Sequence, residues 1–272
     1  MVRSLWTAAT GMISQQTNVD TIANNLANVN TTGYKSEVAE FKSLLYQTMQ
    51  TKTTTANGEN KPVSAQVGLG VRNSAITSVF KQGSMLASES DTAFAIQGDG
   101  FFAVRGEDGQ TYYTRNGNFL FTTAAGNQMM LATTDGLPVL NTAGNPIILP
   151  TTYMASRLGV NAQGELTYPD ANNNPQTIGI TIGLFQFTNP SGLEKIDSTL
   201  YAVSPASGAA INEATNNNVE KSKVLQGYLE GSSVQVADEM VNLIVAQRAY
   251  EMNSKAITTT DEMLQQANQL KR

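Results

Sequence analysis

The sequence contains no cysteine and no histidine. Their absence removes thiol nucleophiles, disulfide frameworks, thiolate or imidazole zinc sites and the Ser-His-Asp triad together. An enzyme built from what remains would have to work with carboxylates, Lys, Tyr or Ser alone. Charge is scarce as well: 14% of the residues are Asp, Glu, Lys or Arg, against about 25% in an ordinary globular chain. The net charge is −5, and no basic cluster offers the footprint that nucleic acid requires. No run of about 20 apolar residues offers a membrane span. The opening MVRSLWTAATGMISQQTN is interrupted by Thr7, Thr10, Gly11 and Ser14, so no signal-peptide core is expected there. No cofactor is implied either, because Gly68-Leu-Gly70 lacks the third glycine and the following helix of a dinucleotide loop.

What takes the place of charge is neutral polarity. The chain has 31 Thr and 25 Asn among its 272 residues. Such side chains hydrogen-bond at little desolvation cost, which suits repeated packing against other protein. The length leaves room for one large domain or two ordinary ones. The pattern along the chain predicts a segregated α+β fold in three parts: residues 1–31 with 232–272 as paired terminal helices, 32–75 as an extended arm or hairpin, and 76–231 as a central antiparallel β domain.

In the first part Ser4 is placed to cap a helix that stops at Asn30-Thr-Thr-Gly33, with Gly33 suited to the left-handed position after the helix. Leu5, Met12, Val19 and Leu26 recur every seven residues, and Ala8, Gln15, Ile22 and Val29 form a second row three residues on. That is an a/d seam over four heptads. The last forty residues mirror it. Ser232 or Ser233 can cap, Gln235 completes an S-x-x-Q capping box, and Asp238 and Glu239 sit where the helix dipole favours them. Val236, Leu243, Tyr250, Ile257 and Leu264 repeat at seven, Met240 joins their face, and Ala249, Ala256, Met263 and Leu270 flank them. Lys271 and Arg272 close the helix with the favourable sign.

Stripes of this kind are usually ordinary buried helix faces. Here no charged residue stands between Arg3 and Asp20, whereas a solvated coiled-coil surface normally carries many. The two ends are therefore expected to pair as a coiled-coil-like hairpin and to pack against further copies of the chain. The arm begins with an apolar anchor at Leu44, Leu45 and Tyr46, passes through a Thr-rich run, turns near Asn57-Gly58 and returns through Val67-Gly-Leu-Gly-Val71. Gly68 and Gly70 permit close approach there. In the β domain the strand-like runs are Ala93–Gln97, Phe101–Arg105, Thr111–Thr114, Asn118–Phe121, Pro138–Leu140, Ile147–Leu149 and Thr177–Phe187. Turns with Gly or Asn at 106–109, 123–126, 142–145 and 161–164 join them.

Candidate chemistry is thin. Asp99, Asp108, Asp135 and Asp170 could pair as glycosidase carboxylates, but all four sit in turn-like contexts where Asp serves the backbone. Asn30-Thr-Thr is a glycosylation sequon at a helix end, where both residue types serve the turn.

The long motifs lie elsewhere. Ala23-Asn-Asn-Leu-Ala-Asn-Val-Asn-Thr-Thr-Gly-Tyr-Lys35 resembles the N-terminal signature of the bacterial flagellar axial proteins of rod, hook and hook-filament junction. The opening Arg3-Ser-Leu-Trp-Thr-Ala-Ala-Thr-Gly-Met12, Gly98-Asp-Gly-Phe-Phe102, Tyr113-Thr-Arg-Asn-Gly117, Asn242-Leu-Ile-Val-Ala-Gln-Arg-Ala-Tyr250 and Ile257-Thr-Thr-Thr-Asp-Glu-Met-Leu264 resemble other segments of the same family, its rod members in particular. Ser232-Ser233 departs from the family's usual Ser-Asn, and Tyr34 stands where Phe is common. The resemblance implies a non-enzymatic subunit of a helical tube, exported unfolded without a cleaved signal peptide, with its terminal helices in the tube wall. The assembly interface would then comprise the seam residues from Leu5 to Val29 and from Val236 to Leu264, and the arm would add contacts between neighbours.

The partners it implies are copies of the chain, proximal rod proteins, the hook protein, the surrounding P and L ring proteins and the flagellar export apparatus, in a basal body that spans the periplasm. Length, opening and arm point to the distal, straight stretch of the rod. A proximal rod or hook subunit is the sibling alternative, although a hook protein would carry an additional outer domain. The alternative from another class is a β-domain hydrolase acting on peptidoglycan. A trimeric adhesin stalk requires one continuous coiled coil and leaves paired helices at opposite chain ends unexplained.

Overall fold

A computed structural model describes residues 2–50, 65–124, 126, 128–170, 174–216 and 218–270. The expected turn at Asn57-Gly58 and the basic pair Lys271-Arg272 lie outside them. The chain divides into two compact units, one gathering Met1–Ala27, Glu37–Ser78 and Gln235–Arg272, the other Asn28–Ser36 and Val79–Val234.

The first unit holds two helices and a β-ribbon. Helix α1 spans Val2–Ala27, so Ser4 lies inside its first turn and does not cap it. The helix ends at Ala27, not near residue 31, because Asn28 nucleates a turn: its carbonyl accepts the Thr31 amide at 3.2 Å and its Oδ1 accepts the Thr31 hydroxyl at 3.1 Å. Helix α2 spans Val236–Gln269, with Gln235 at the cap position and no side-chain cap. The expected capping box does not form, since Ser232 Oγ accepts the Val234 amide and Ser233 Oγ accepts the Ser36 amide at 2.9 Å. Asp238 and Glu239 remain to complement the dipole of the first turn.

Gly11 backs onto the Asn253 side chain, and Asn25 Nδ2 donates to Glu239 Oε1 at 3.0 Å. Early residues of α1 thus meet late residues of α2, and the helices run antiparallel. The α2 face turned to α1 carries Glu239, Ala246, Asn253 and Thr260 at seven-residue spacing, and Ala246 and Thr260 are its buried members. The flanking row expected at Ala249, Ala256, Met263 and Leu270 is therefore corrected, and Met263 and Leu270 are exposed. Small and polar residues occupy the closest approach because large side chains would hold the backbones apart.

The arm is a two-stranded ribbon. Strand β1 (Glu37–Ser43) pairs antiparallel with β4 (Val71–Ser78), and β2 (Tyr46–Gln50) with β3 (Ala65–Gly68). Two backbone bonds, Leu44 N–H to Gly70 O and Leu69 N–H to Leu45 O, make the segments continuous. The ribbon is docked on α1, where Thr17 Oγ1 accepts Asn73 Nδ2 at 2.6 Å and Gly70 lies against Thr10.

The second unit is antiparallel throughout. Its largest sheet has six strands in the order Glu194–Lys195, Leu200–Ala202, Thr111–Thr114, Phe101–Arg105, Leu184–Gln186 and Ile211–Asn212. Phe102 and Val104 face a core with Phe94, Ile96, Phe119, Leu131 and Leu184, while Phe101 and Ala103 face Tyr113, Phe187 and Tyr201. Both faces of that strand are buried, which is why it reads as an unbroken apolar run. The four expected turns carry Gly109, Gly126, Gly144 and Gly164 at positive φ. The run Thr177–Phe187 is not one strand. Pro175–Thr181 belongs to a three-stranded sheet, and the chain breaks at Ile182-Gly183, where Gly183 N–H donates to Leu140 O, before Leu184–Gln186 joins the large sheet.

Hydrogen exchange on the dilute monomer should therefore be uneven. Amides of Phe94–Gln97 and Phe101–Arg105 are expected to exchange about 100-fold or more slowly than those of α2, whose packing face is narrow and polar. Equal protection of α2 in a verified monomer would contradict this.

Candidate assembly surface and a buried charge node

Burial is divided unequally between the units. Among the described residues, the buried apolar side chains of the helical unit are Ala8, Ile22, Ala39 and Ala246; the rest lie in the β unit. The helical unit instead exposes Trp6, Ile13, Val38, Val241, Val245 and Met252. Covering those six, each about half to two-thirds exposed, would gain roughly 5–11 kcal/mol at about 1.5–3 kcal/mol per fully buried side chain. That rivals the about 4–15 kcal/mol that association costs, and large uncovered apolar area marks an interaction surface.

The residues expected at the interface occupy three environments. Ile22 is buried; Leu5, Met12, Val19, Leu26, Val29, Leu243, Ile257 and Leu264 are half-buried; Val236, Met240 and Tyr250 are exposed. Val19 and Tyr250 line a groove of about 400 Å³ with Gln16, Gln247 and Glu251. In the ribbon Leu44 is half-buried, Leu45 is 83% exposed, Tyr46 is exposed, and Gly68 sits opposite the Tyr46 ring. The exposed row Val241, Ile244, Val245 and Met252 was not expected from the heptad pattern, because it lies off the seam.

The polar residues of the N-terminal signature make contacts within each unit. Asn25 is buried; its amide donates to Glu37 O and accepts Glu37 N–H, both at 2.8 Å, and so substitutes for a strand partner while also reaching Glu239. Farther along, Gly33 adopts φ 71°, and any Cβ there would strike the Asn116 backbone. Thr32 Oγ1 donates to Asn116 Oδ1 at 2.9 Å.

Next to Gly33 the β unit contains a buried charge node. Lys35 Nζ lies 2.6 Å from Glu230 Oε1, and Arg115 Nη1 lies 3.4 Å from Glu230 Oε2, with all three side chains at most 2% exposed. Glu230 Oε1 also accepts the Gly83 amide, Lys35 donates to the Lys81 carbonyl, and Arg115 lies over the Phe101 ring at 4.9 Å. Two cations thus share one carboxylate. Burial pushes the Lys35 and Arg115 pKa values down, and Glu230 opposes the shift in both.

A second buried carboxylate explains Gly98-Asp-Gly100. Glu213 Oε2 accepts the Ser222 amide at 2.7 Å and its Oε1 accepts Ser222 Oγ and Gln186 Nε2. Ser222 Oγ in turn accepts Gly100 N–H, and a Cβ on Gly100 would meet Glu213 Oε1. Of the aspartates considered for catalysis, Asp108 accepts the Gln110 amide and the Tyr112 hydroxyl. Among the described residues no cluster of three or more acidic residues could hold a metal, and no helix is long and apolar enough to cross a membrane.

A cored β unit joined to a helical unit with almost no core of its own defines a self-assembling structural subunit. Three family descriptions match the chain: "Flagella basal body rod protein" over residues 5–35, "Flagellar hook protein FlgE/F/G D1 domain" over 95–168 and "Flagellar basal body rod FlgEFG protein C-terminal" over 225–270. The flagellar basal-body rod protein FlgG of Borreliella burgdorferi is 43% identical over 100% of both chains. That of Agrobacterium fabrum is 42% identical over 96% of this chain and 97% of its own. The flagellar hook-basal body complex protein FlhP of Bacillus subtilis is 32% identical over 97% of each. The chain belongs to the flagellar basal-body rod protein family. It is a structural subunit of the flagellar rod and not an enzyme; the hydrolase alternative finds no support among its relatives.

The node generates a graded mutational prediction. Glu230→Gln leaves two buried cations without a counter-ion and is expected to cost about 3–5 kcal/mol in urea unfolding of the β unit. Lys35→Met keeps the Arg115–Glu230 pair and should cost much less. Equal losses would contradict the electrostatic account. Because Lys35 has a lowered pKa in the fold, the unfolded chain binds more protons between the folded and the ordinary lysine value. Stability there should rise with pH, and Lys35→Met should remove that part of the rise.

Proposed function

We propose that the chain builds the distal stretch of the rod, as a stiff helical tube that carries motor torque across the periplasm to the hook. The observation that carries this is the helical unit's exposed apolar surface over a core of three alanines and one isoleucine. Such a unit gains its missing core from neighbouring copies. In the assembled wall α1 and α2 act as a coiled-coil-like pair, and Leu5, Met12, Val19, Ile22, Leu26 and Val29 with Val236, Met240, Leu243, Tyr250, Ile257 and Leu264 form its contacts. The ribbon, through Leu44, Leu45, Tyr46, Gly68 and Gly70, reaches a neighbouring copy and resists sliding.

Further partners follow from that place in the basal body. They are the proximal rod proteins below, the hook protein above, the P and L ring proteins around it, and the export apparatus that delivers the subunit. The antiparallel helices and the two-stranded ribbon support this reading, as does the full-length similarity to basal-body rod proteins.

Electron microscopy of polymers grown from the purified chain is the test, with straight tubes expected. Curved tubes would favour a hook-type subunit. Leu243→Asp should abolish the tubes while leaving the circular dichroism of the β unit unchanged, because burying an unpaired carboxylate costs about 2 kcal/mol or more. Normal tubes from this variant would remove α2 from the wall.

A further inference from the structure

The helix pair presents two unlike surfaces. On one side lies the groove of about 400 Å³ between Val19 of α1 and Tyr250 of α2, with Glu251 at its edge. On the other, Val241, Val245, Arg248, Met252 and Lys255 follow one another at intervals of four, three, four and three residues along α2. That spacing aligns them as a single stripe. At about 100° per residue, Val241, Val245 and Met252 lie roughly 140–180° around the helix from Tyr250. Val245 and Met252 are 63% and 67% exposed, so the stripe stands out as a ridge.

Ridge and groove are complementary in chemistry. Apolar Val245 and Met252 match the Val19 and Tyr250 walls, and Arg248 of the ridge matches Glu251 of the groove. Within one chain Arg248 Nη1 already lies 2.8 Å from Glu251 Oε2, but both side chains are more than 60% exposed. A pair so exposed contributes little and exchanges readily for the same pair between copies.

We propose that the Val241–Met252 ridge of one copy seats in the Val19–Tyr250 groove of the next. This rests on the reading above that the chain polymerises through its helical unit, and it adds the mode of contact. Because the two surfaces lie on different sides of the same helix pair, the contact is heterologous. Heterologous contacts propagate into rings or open helical filaments, whereas a self-complementary patch closes into a dimer.

The absence of cysteine makes this directly testable. Val19→Cys is mixed with Val241→Cys, Val245→Cys or Met252→Cys, each chain carrying one cysteine, under polymerising conditions with a short bis-maleimide. Covalent heterodimers are expected in at least one mixture, and at most one-tenth as much product from any variant alone. The three ridge positions, and a second groove variant, Gln247→Cys, keep the test valid if one substitution blocks assembly. Val19→Cys homodimers would indicate a self-complementary interface and overturn the proposal, as would tubes that form without any ridge–groove product. Wild-type chain that stays monomeric at every concentration would overturn polymerisation itself, which the microscopy reads separately from the cross-linking.

Discussion

The β unit is organised around the carboxylate of Glu230, held out of water between Lys35 and Arg115 with the Gly83 amide on the same oxygen as Lys35. Its backbone carbonyl accepts Gly33 N–H, and its strand pairs with Met85–Ala87. Three stretches far apart in sequence, around residues 33–35, 81–85 and 115, thus converge on one residue. Removing this carboxylate would leave two cations uncompensated in low dielectric. The segments entering and leaving the unit are pinned by the same group.

The helical unit follows the opposite logic. Its interior contacts are polar or small: Asn25 on Glu37 and Glu239, Thr17 on Asn73, Gly11 on Asn253. Ile22 is the one large apolar side chain buried with them among the described residues, while Trp6, Ile13, Val241, Val245 and Met252 are exposed. Neutral polar contacts specify how α1, α2 and the ribbon meet; under the assembly proposed above, most of the apolar burial is postponed until copies pack together. The scarcity of charge along α1 fits that proposal, since every surface charge would have to be desolvated or paired in a packed wall.

Motifs that look chemical turn out to be steric and electrostatic. Gly98-Asp-Gly100 makes room for the Glu213–Ser222 bonds, and Asn30-Thr-Thr-Gly33 shapes the exit from α1 onto the Asn116 backbone. Lys35 and Arg115 are spent on the carboxylate between them, with the Lys81 carbonyl and the Phe101 ring completing their surroundings.

Much of the helical unit was legible in the chain alone. Seven-residue spacing announced two long helices, and the Gly-bearing turns marked the β-hairpins, because backbone sterics and apolar periodicity act locally. The capping serines were misassigned, since Ser232 and Ser233 spend their hydroxyls on Val234 and on Ser36, which no local rule foresees. The break at Gly183 depended on a bond to Leu140 in a distant strand. Glu230 and Glu213 carried no signal at all, being single acidic residues whose partners lie between 9 and 195 positions away. Length, periodicity and signature motifs determined by themselves what kind of protein this is. Which α2 row meets α1, which face is left bare, and where the buried charges are neutralised were decided only by the tertiary structure, because burial belongs to the whole fold and to no short stretch of it.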